Sequence, residues 1–600
     1  MTEMKRRTTV LKALLAVGFL AFTGAILVAH SRPTTGYELS MYRSTPLGFW
    51  IGTSLAGVIA LIVAFAPTTP QRLRGGGFAL ATAAVMAVFA LPIVRGYFYY
   101  GGGDSLSHLG WAREMAGAGS AFGFIYPAVH SLAAYLSLLS GFELTYTMQF
   151  VPLVVFPLVS VVFMTLCVRY LTDSQWALPV GVATGLLLVP VNNLSIHLLA
   201  HPSSQAIMFL PLVLYLVFRF VNEPADQFAF RTPTGIALGV VCVALVFIHP
   251  QESMSLVLVL GAISVVQFVY KRFRPTDRIA HHRPVYAHTL LTLLVFATWL
   301  PQHDRPIDRI SFVIMRFQEI GTTTGGEAEA QTASLAALGG SIEELFVKLM
   351  GVTLIIGLAA AVLIGLNMLG RLDNKTAGRS ALVTYLTAGL VPIGLIFLVV
   401  FVADQGDHYF RFMGFMMVSV TILGAAAVAE AASRAQLSVS RKTVAIVLVV
   451  VFAGMLVMQT LVVHPSPYYY QTNNQVTESS MEGYKIAFEH RNEETAYMSP
   501  RGGQRRYVDA YYGRPTARES LSFRGYRNNI NETAFNEDLA SFYDSDWYLI
   551  IREADRKNEI ELYEGLRFSQ TGFDRLETES SIYRVQDNGD FRQYLLRNEA

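Results

Sequence analysis

Long apolar runs are the feature that most restricts how this 600-residue chain can fold. A transmembrane helix needs about 20 predominantly apolar residues to cross roughly 30 Å of hydrocarbon, and such runs recur along the sequence as far as Val463. The composition agrees, because 52% of the residues are hydrophobic and only 15% are charged. We therefore predict an all-α polytopic membrane bundle and exclude a soluble globular fold.

The apolar runs predict about thirteen membrane spans. They lie near residues 11–30, 47–66, 78–95, 148–168, 176–191, 205–219, 234–248, 253–269, 286–300, 349–369, 381–402, 410–432 and 443–463. The first run follows Lys5, Arg6 and Arg7 and exceeds the apolar core of a typical signal peptide. We expect it to be a retained anchor.

The positions of Lys and Arg predict the orientation, because these residues collect in the cytoplasmic loops of membrane proteins. They place the N-terminus in the cytoplasm of a cell and the loops 98–146 and 301–344 outside the cell membrane. The alternation holds if the segment 121–142, which Pro127 and His130 interrupt, lies along the outer surface. An ordinary span at this segment is the alternative.

The composition changes after the last apolar run. Residues 1–463 form the predicted bundle, whereas residues 464–600 are polar and carry mixed charge, with Gly, Asn and Asp at turn positions. Short strand-like runs occur at 546–553 (DWYLIIRE) and 580–587 (SSIYRVQD). We predict a small external α/β domain, since about 130 residues can enclose a core.

The loop after the third span reads YFYYGGGDSLSHLGWAREM and carries the first candidate site. Gly101 to Gly103 permit a tight turn, and Asp104 follows it just above the bilayer. If a helix starts here, His108 lies one turn after Asp104 on the same side. The alternative is that Asp104 merely caps the helix, since Asp is a favoured cap residue.

Three further external turns carry ionisable groups, which are costly at membrane depth unless they face a cavity, pair or perform a function. The turns read NNLSIHLLAHPSSQ, FIHPQES and ADQGDHYFRF, and their candidate residues are His197, His201, His249, Glu252, Asp407, His408 and Arg411. A single solvated histidine such as His197 needs no function, but recurrence on one face favours a common site.

These residue types permit a group-transfer chemistry. A carboxylate near an acceptor hydroxyl can remove its proton, which makes Asp104, His108 and Glu252 the catalytic candidates. A second carboxylate could hold a divalent cation, Mg²⁺ or Mn²⁺, between Asp104 and Asp407. Arg411 could bind the phosphate of a membrane-embedded donor.

The loop 301–344 contains charged residues followed by GTTTGGEAEAQT, a Gly- and Thr-rich stretch. We expect it to close over a bound substrate, and a plain external connector is the alternative. Its charged candidates are His303, Asp304, Asp308, Arg309, Arg316 and Glu319.

The chain resembles the GT-C superfamily of membrane glycosyltransferases, and most of all its archaeal members. The resemblance rests on Gly103-Asp104-Ser-Leu-Ser-His108 in a long external loop, the interface segment after it, the HYFRF element at 408–412 and the external tail. It implies that Asp104 is a catalytic base or metal ligand, that a polyprenyl-phosphate-linked sugar is the donor and that Arg411 lies near the donor phosphate.

The chain departs from that family at two points. Two additional spans precede the acidic residue, which in the family normally follows the first span. The tail lacks the WWDYG signature of oligosaccharyltransferases, and SDWYLI at 545–550 resembles it only superficially. These departures argue against transfer of a whole oligosaccharide to asparagine.

The leading hypothesis is an inverting glycosyltransferase that moves a sugar from a polyprenyl phosphate to a glycan, lipid or protein acceptor at the external face. Membrane lipids would surround the bundle. The substrate would be bound by His201, His249, Asp407, His408 and Arg411. The alternatives are a transporter or flippase and a catalytically inactive scaffold. Nucleic acid is not an expected partner, because Lys and Arg form no basic face.

Overall fold

The computed structural model describes most of the chain. The described residues are 2–119, 121, 123–224, 228–303, 333–372, 377–402, 408–501, 503–513, 528–539 and 541–598.

Ten helices in the described part of the chain are long and apolar enough to cross a membrane. They are Lys5–His30, Leu47–Phe65, Gln71–Phe89, Leu144–Leu171, Pro202–Val221, Pro250–Phe273, Ile342–Met368, Arg379–Val402, His408–Ala435 and Arg441–Thr460. Each coincides with a predicted span. The predicted all-α membrane bundle is confirmed, and the chain is a multi-pass membrane protein.

The other three predicted spans are shorter helices. Ala177–Leu187, Pro233–Ile248 and Tyr286–Trp299 contain 11, 16 and 14 residues. At 1.5 Å per residue even the longest extends only about 24 Å, which is less than the hydrocarbon thickness. Pro233–Ile248 ends where it does because His249 adopts the extended backbone that a following proline favours (φ −158°, ψ 124°). Thirteen crossings therefore stay a prediction.

Two helices form the centre of the bundle. In both Pro202–Val221 and His408–Ala435, 72% of the apolar window is buried, compared with 22% in Lys5–His30. The central helices begin at the end of the bundle where the candidate histidines lie, since His201 directly precedes the first and His408 starts the second. Candidate residues at these positions are therefore held by the two most buried of the ten long helices.

The segment 121–142 contains the helix Pro127–Ser140, which is not among the ten helices of membrane length. The helix has 14 residues, and the predicted position of the segment along the outer surface stays a prediction. Val129 and His130 are buried on one face. The large apolar side chains on the exposed face belong to Tyr135, Leu138 and Leu139, and Phe142 follows the helix. Such a face suits a membrane surface.

Shorter helical segments complete the bundle and its loops. They are Met41–Ser44, Leu91–Val94, Asp104–Ala118, Ala229–Arg231, Arg278–His281 and Leu300–Gln302. Leu144–Leu171 includes a π-helical turn at Val151–Val155, which contains Pro152.

The tail contains a five-stranded mixed sheet. Its strands are β3 (Ala496–Ser499), β4 (Asn528–Asn529), β5 (Trp547–Arg552), β6 (Ile582–Asp587) and β7 (Phe591–Leu596), in the order β4-β3-β5-β7-β6. β3 is parallel to β4 and β5, and β7 is antiparallel to β5 and β6. The strands predicted at 546–553 and 580–587 are confirmed.

The helical segments of the tail lie around this sheet in sequence. They are Pro467–Tyr469, Glu478–Glu489, Gln504–Tyr512, Glu532–Asn536, Glu553–Lys557, Asn558–Leu562 and Gln570–Arg575.

The tail is attached to the bundle by paired backbone and buried polar contacts. β1 (Tyr99–Tyr100) from the loop after the third span pairs antiparallel with β2 (Gln475–Val476). The hydroxyl of Tyr37 donates to Oδ1 of Asn558 at 2.9 Å, and the amide of Glu38 donates to Oε1 of Gln475 at 2.8 Å. The predicted boundary at 463/464 stays a prediction, but the contacts place the tail directly above the candidate loop.

Candidate functional site at the mouth of the bundle

Asp104 starts a helix that follows a glycine turn. Gly103 has φ +60°, a left-handed conformation that glycine adopts without steric cost, and it is the cap residue of the helix Asp104–Ala118. Asp104 is therefore the first helical residue. Its carboxylate forms an ion pair with the guanidinium of Arg506 from the tail and is still 58% exposed. These contacts give it a partner beyond its own helix, so the cap-only alternative does not account for them.

His108 lies one turn further and faces a buried aromatic cluster. Its Nδ1 is 3.1 Å from Nε2 of His130, and its ring packs edge-on against Trp111 and Tyr126 at 5.3 and 5.6 Å. At 3.6 residues per turn, Asp104 and His108 differ by about 40° around the helix axis. The exposed carboxylate and the histidine cluster are thus on adjacent parts of one helix surface, as predicted.

Tyr126 connects this loop to the membrane helices. Its ring stacks on His249 at 5.2 Å with an interplanar angle of 9°. Nδ1 of His249 lies 3.8 Å from Oε1 of Glu252, which also accepts a 2.5 Å hydrogen bond from Ser203. Glu252 is fully buried at the start of Pro250–Phe273. The structure therefore brings His108, His249 and Glu252 together.

His197 and His201 form a second part of the same cluster. Their rings lie 4.8 Å apart, and Nδ1 of His201 is 3.0 Å from Oγ of Ser204. Burial, and to a lesser extent the charge of Arg411, lowers the pKa of His197 to about 4. Burial likewise lowers the pKa of His201 well below its ordinary range. The electrostatic effects of His197 and Arg411 lower it to a lesser extent. Both imidazoles are consequently neutral near pH 7.

Arg411 and His408 lie in the first turn of the central helix His408–Ala435. Burial lowers the pKa of His249, and the electrostatic effects of Arg411 and then His408 act in the same direction. His197, His201 and His249 are therefore neutral hydrogen-bonding groups near pH 7, whereas a guanidinium is a positively charged donor. A negatively charged ligand group entering the mouth would meet this guanidinium.

Other predicted residues lie outside the described part of the chain. They are Asp407, Asp304, Asp308, Arg309, Arg316 and Glu319. His303 is described and packs against Trp299 at 4.8 Å. Closure of the loop 301–344 over a substrate and a metal-binding role for Asp407 stay predictions.

A metal site was tested against the side chains that are described. Among them, no group of three or more His, Cys, Asp and Glu residues is arranged to hold a metal ion. The carboxylate of Asp104 is instead paired with a guanidinium. The described residues do not fit a divalent cation at Asp104.

Sequence reasoning missed four residues of the site. Three of them, Tyr126, His130 and Trp111, lie in the predicted external loop. The sequence signal that could have identified them is the helical spacing of aromatic and histidine residues there. Arg506 is about 400 positions away from Asp104, and no local pattern connects them.

The family comparison identifies the chain. Residues 5–501 match the model of a family described as a family of unknown function, DUF6541. The chain belongs to this family. The match includes every predicted site residue but ends before Arg506. No curated protein matches the sequence.

The chain is also similar to several solved structures at low sequence identity. ArnT from Cupriavidus metallidurans in the apo state is 12% identical, with a TM-score of 0.46 over 87% of this chain and 97% of that one. The same protein bound to undecaprenyl phosphate is 12% identical, with a TM-score of 0.45 over 92% and 98%. The archaeal oligosaccharyltransferase AglB from Archaeoglobus fulgidus, in complex with an inhibitory peptide and a dolichol-phosphate, is 11% identical, with a TM-score of 0.46 over 85% and 74%.

Proposed function

We propose that this protein is a membrane glycosyltransferase that transfers a sugar from a polyprenyl-phosphate-linked donor to a hydroxyl-bearing glycan, lipid or protein acceptor at the external face. The observation that supports it most is the accessible carboxylate of Asp104 at the start of the helix that carries His108, which packs in a buried cluster with His130 and Tyr126, the latter stacked on His249. The resemblance of the Gly103-to-His108 element to the GT-C superfamily points to the same chemistry.

In this proposal Asp104 is the general base. It accepts the proton of the acceptor hydroxyl while the acceptor oxygen forms a bond to the anomeric carbon of the donor sugar. The bond between that carbon and the phosphate oxygen breaks, and polyprenyl phosphate leaves with the electron pair. A carboxylate at the rim suits this role because the acceptor must reach it from the aqueous side.

The buried part of the mouth would bind the donor. Arg411 can pair with the phosphate by charge-assisted hydrogen bonds, which strengthen as negative charge develops on the leaving group. The neutral rings of His201 and His249 can donate to or accept from the sugar hydroxyls. Glu252 and His108 complete the wall, and Asp407 and His408 are expected next to the phosphate.

The proposal predicts that Asp104→Asn abolishes transfer and leaves expression intact. Removal of a general base typically costs about 100-fold to 10,000-fold in rate. We would profile glycans and glycolipids in cells that carry the wild-type protein, a deletion or Asp104→Asn, with protein levels checked in each. The same product should lose one sugar in both altered strains.

Retention of that sugar in Asp104→Asn cells would contradict the role of Asp104. Unchanged profiles in both strains would contradict the glycosyltransferase and would favour a transporter or a scaffold. Leu437→Ala, at an exposed position in the loop between the last two membrane helices, is the control for a neutral substitution.

A further inference from the structure

The positively charged side chain of Arg506 lies next to the carboxylate of Asp104, where a metal ion would otherwise bind. It belongs to the tail helix Gln504–Tyr512, and its guanidinium pairs with Oδ1 of Asp104. Nη1 of Arg506 also donates to Oγ of Ser107 at 3.1 Å. The side chain of Arg506 is only 20% exposed, so protein atoms on both helices hold it in place.

The packing of the two helices fixes this guanidinium. Ser107 donates to Oδ2 of Asp509 at 2.6 Å, and Nη1 of Arg113 donates to the carbonyl of Ala510 at 3.0 Å. Gly110 allows the closest approach, because a Cβ built there would lie 1.9 Å from the carbonyl oxygen of Asp509. The position of Arg506 is therefore a consequence of helix packing.

A guanidinium and a divalent cation compete for the same carboxylate. A guanidinium is a positively charged group, so a metal ion at Asp104 would have to displace Arg506 or be repelled by its positive charge. A guanidinium bound to one carboxylate oxygen also orients the group and leaves the other oxygen for an acceptor hydroxyl.

We infer that Arg506 of the tail is a positioning residue for Asp104 and serves in place of a divalent metal. The positioning role of Arg506 in catalysis rests on the proposed function. The claim that Arg506 takes the place of a metal ion at Asp104 does not. The inference predicts that the external tail completes the site and that transfer proceeds without added metal.

The first experiment measures metal binding with the full-length protein in lipid nanodiscs. We would titrate Mn²⁺ and follow free Mn²⁺ by electron paramagnetic resonance in the wild type and in Asp104→Asn. The two proteins should show the same binding. Mn²⁺ binding that disappears in Asp104→Asn would overturn the inference whether or not the protein transfers sugar.

The second experiment measures transfer by the same protein in vesicles. The donor is supplied as a lipid extract from cells that lack the protein, and its consumption is followed by mass spectrometry. Wild-type activity should persist in excess EDTA. Arg506→Gln should lower the maximal rate on the order of 100-fold, the scale of a misplaced catalytic group, with little change in the half-saturating extract concentration. Arg506→Lys should recover part of that loss.

Arg113→Gln is the matched control. It removes the same kind of side chain from the same helix contact without touching Asp104. Hydrogen exchange of the amides of 104–118 reports docking of the tail in each variant. Equal losses of rate in Arg113→Gln and Arg506→Gln with equally increased exchange would show a docking role alone and overturn the inference. Activity lost in EDTA and restored by Mg²⁺ would also overturn it.

A wild type without transfer, together with unchanged cell profiles, would contradict the proposed function but not the Mn²⁺ result. The two failures are therefore distinguishable.

Discussion

At the scale of single residues, the mouth of the bundle is dominated by histidines that burial keeps neutral. Arg411 adds to this effect, because a nearby positive charge disfavours protonation of an imidazole. The site thus combines uncharged donors and acceptors with a fixed cation, a combination suited to a sugar phosphate.

The lowered pKa of His197 predicts a pH-dependent stability. In the unfolded state His197 has its ordinary pKa of 6.5, whereas in the folded state its pKa is about 4. The stabilisation of the folded state by neutral His197 is therefore fully present above pH 6.5 and is lost as the pH falls toward 4. Thermal unfolding in detergent should show a smaller decrease in Tm between pH 7 and pH 4.5 for His197→Gln than for the wild type.

The exposed His490 provides the control, since His490→Gln should leave the wild-type slope unchanged. Equal slopes in all three proteins would contradict a buried neutral His197.

Much of the residue-level site could be predicted because its members share one sequence property. His108, His201, His249, Glu252 and Arg411 are ionisable groups next to apolar runs, where their cost demands a partner or a function. Arg506 could not be predicted, because its role depends on how the tail packs. One arginine in a polar tail resembles any other.

At the scale of elements, the contact between Asp104–Ala118 and Gln504–Tyr512 determines the geometry of the site. A glycine lies at the point of closest approach, and the paired polar groups lie on either side of it. Small residues at such crossings let two helices approach closely.

This contact predicts opposite effects for two glycines of one helix. Gly110→Ala should displace the tail helix at a cost of about 1–3 kcal/mol in unfolding free energy, since the new methyl group would overlap Asp509. Gly117→Ala should be neutral or stabilising by up to about 1 kcal/mol, because no atom lies within 4 Å of its Cβ position. Thermal unfolding and hydrogen exchange of 104–118 measure both effects. Similar results for the two variants would contradict the close packing.

The elements themselves were largely predictable. Hydropathy located the ten long helices, and short strand-like runs among turn residues located the strands at 547–552 and 582–587. Helix lengths were less accessible. Pro250 ends one short helix at Ile248 by restricting the backbone of His249, and a hydropathy window does not register this restriction.

At the scale of the whole molecule, the account requires that the tail and the mouth share the external side. The alternation of basic loops predicts this orientation, and it places Ser438 in the cytoplasm and Ser541 outside. Ser438→Cys and Ser541→Cys are matched exposed substitutions, and the native Cys167 and Cys242 are buried. A membrane-impermeant maleimide applied to intact cells should label only Ser541→Cys. Labelling of Ser438→Cys alone would reverse the orientation.

The most direct test of the central claim is the consumption of a lipid-linked sugar by the purified protein. Vesicles containing wild-type protein or Asp104→Asn would be mixed with the lipid extract of cells that lack the protein, and polyprenyl-phosphate sugars would be measured by mass spectrometry. We predict that the wild type consumes one such lipid and releases polyprenyl phosphate, while Asp104→Asn is at least about 100-fold slower. Consumption at equal rates, or release of no polyprenyl phosphate by the wild type, would contradict the account.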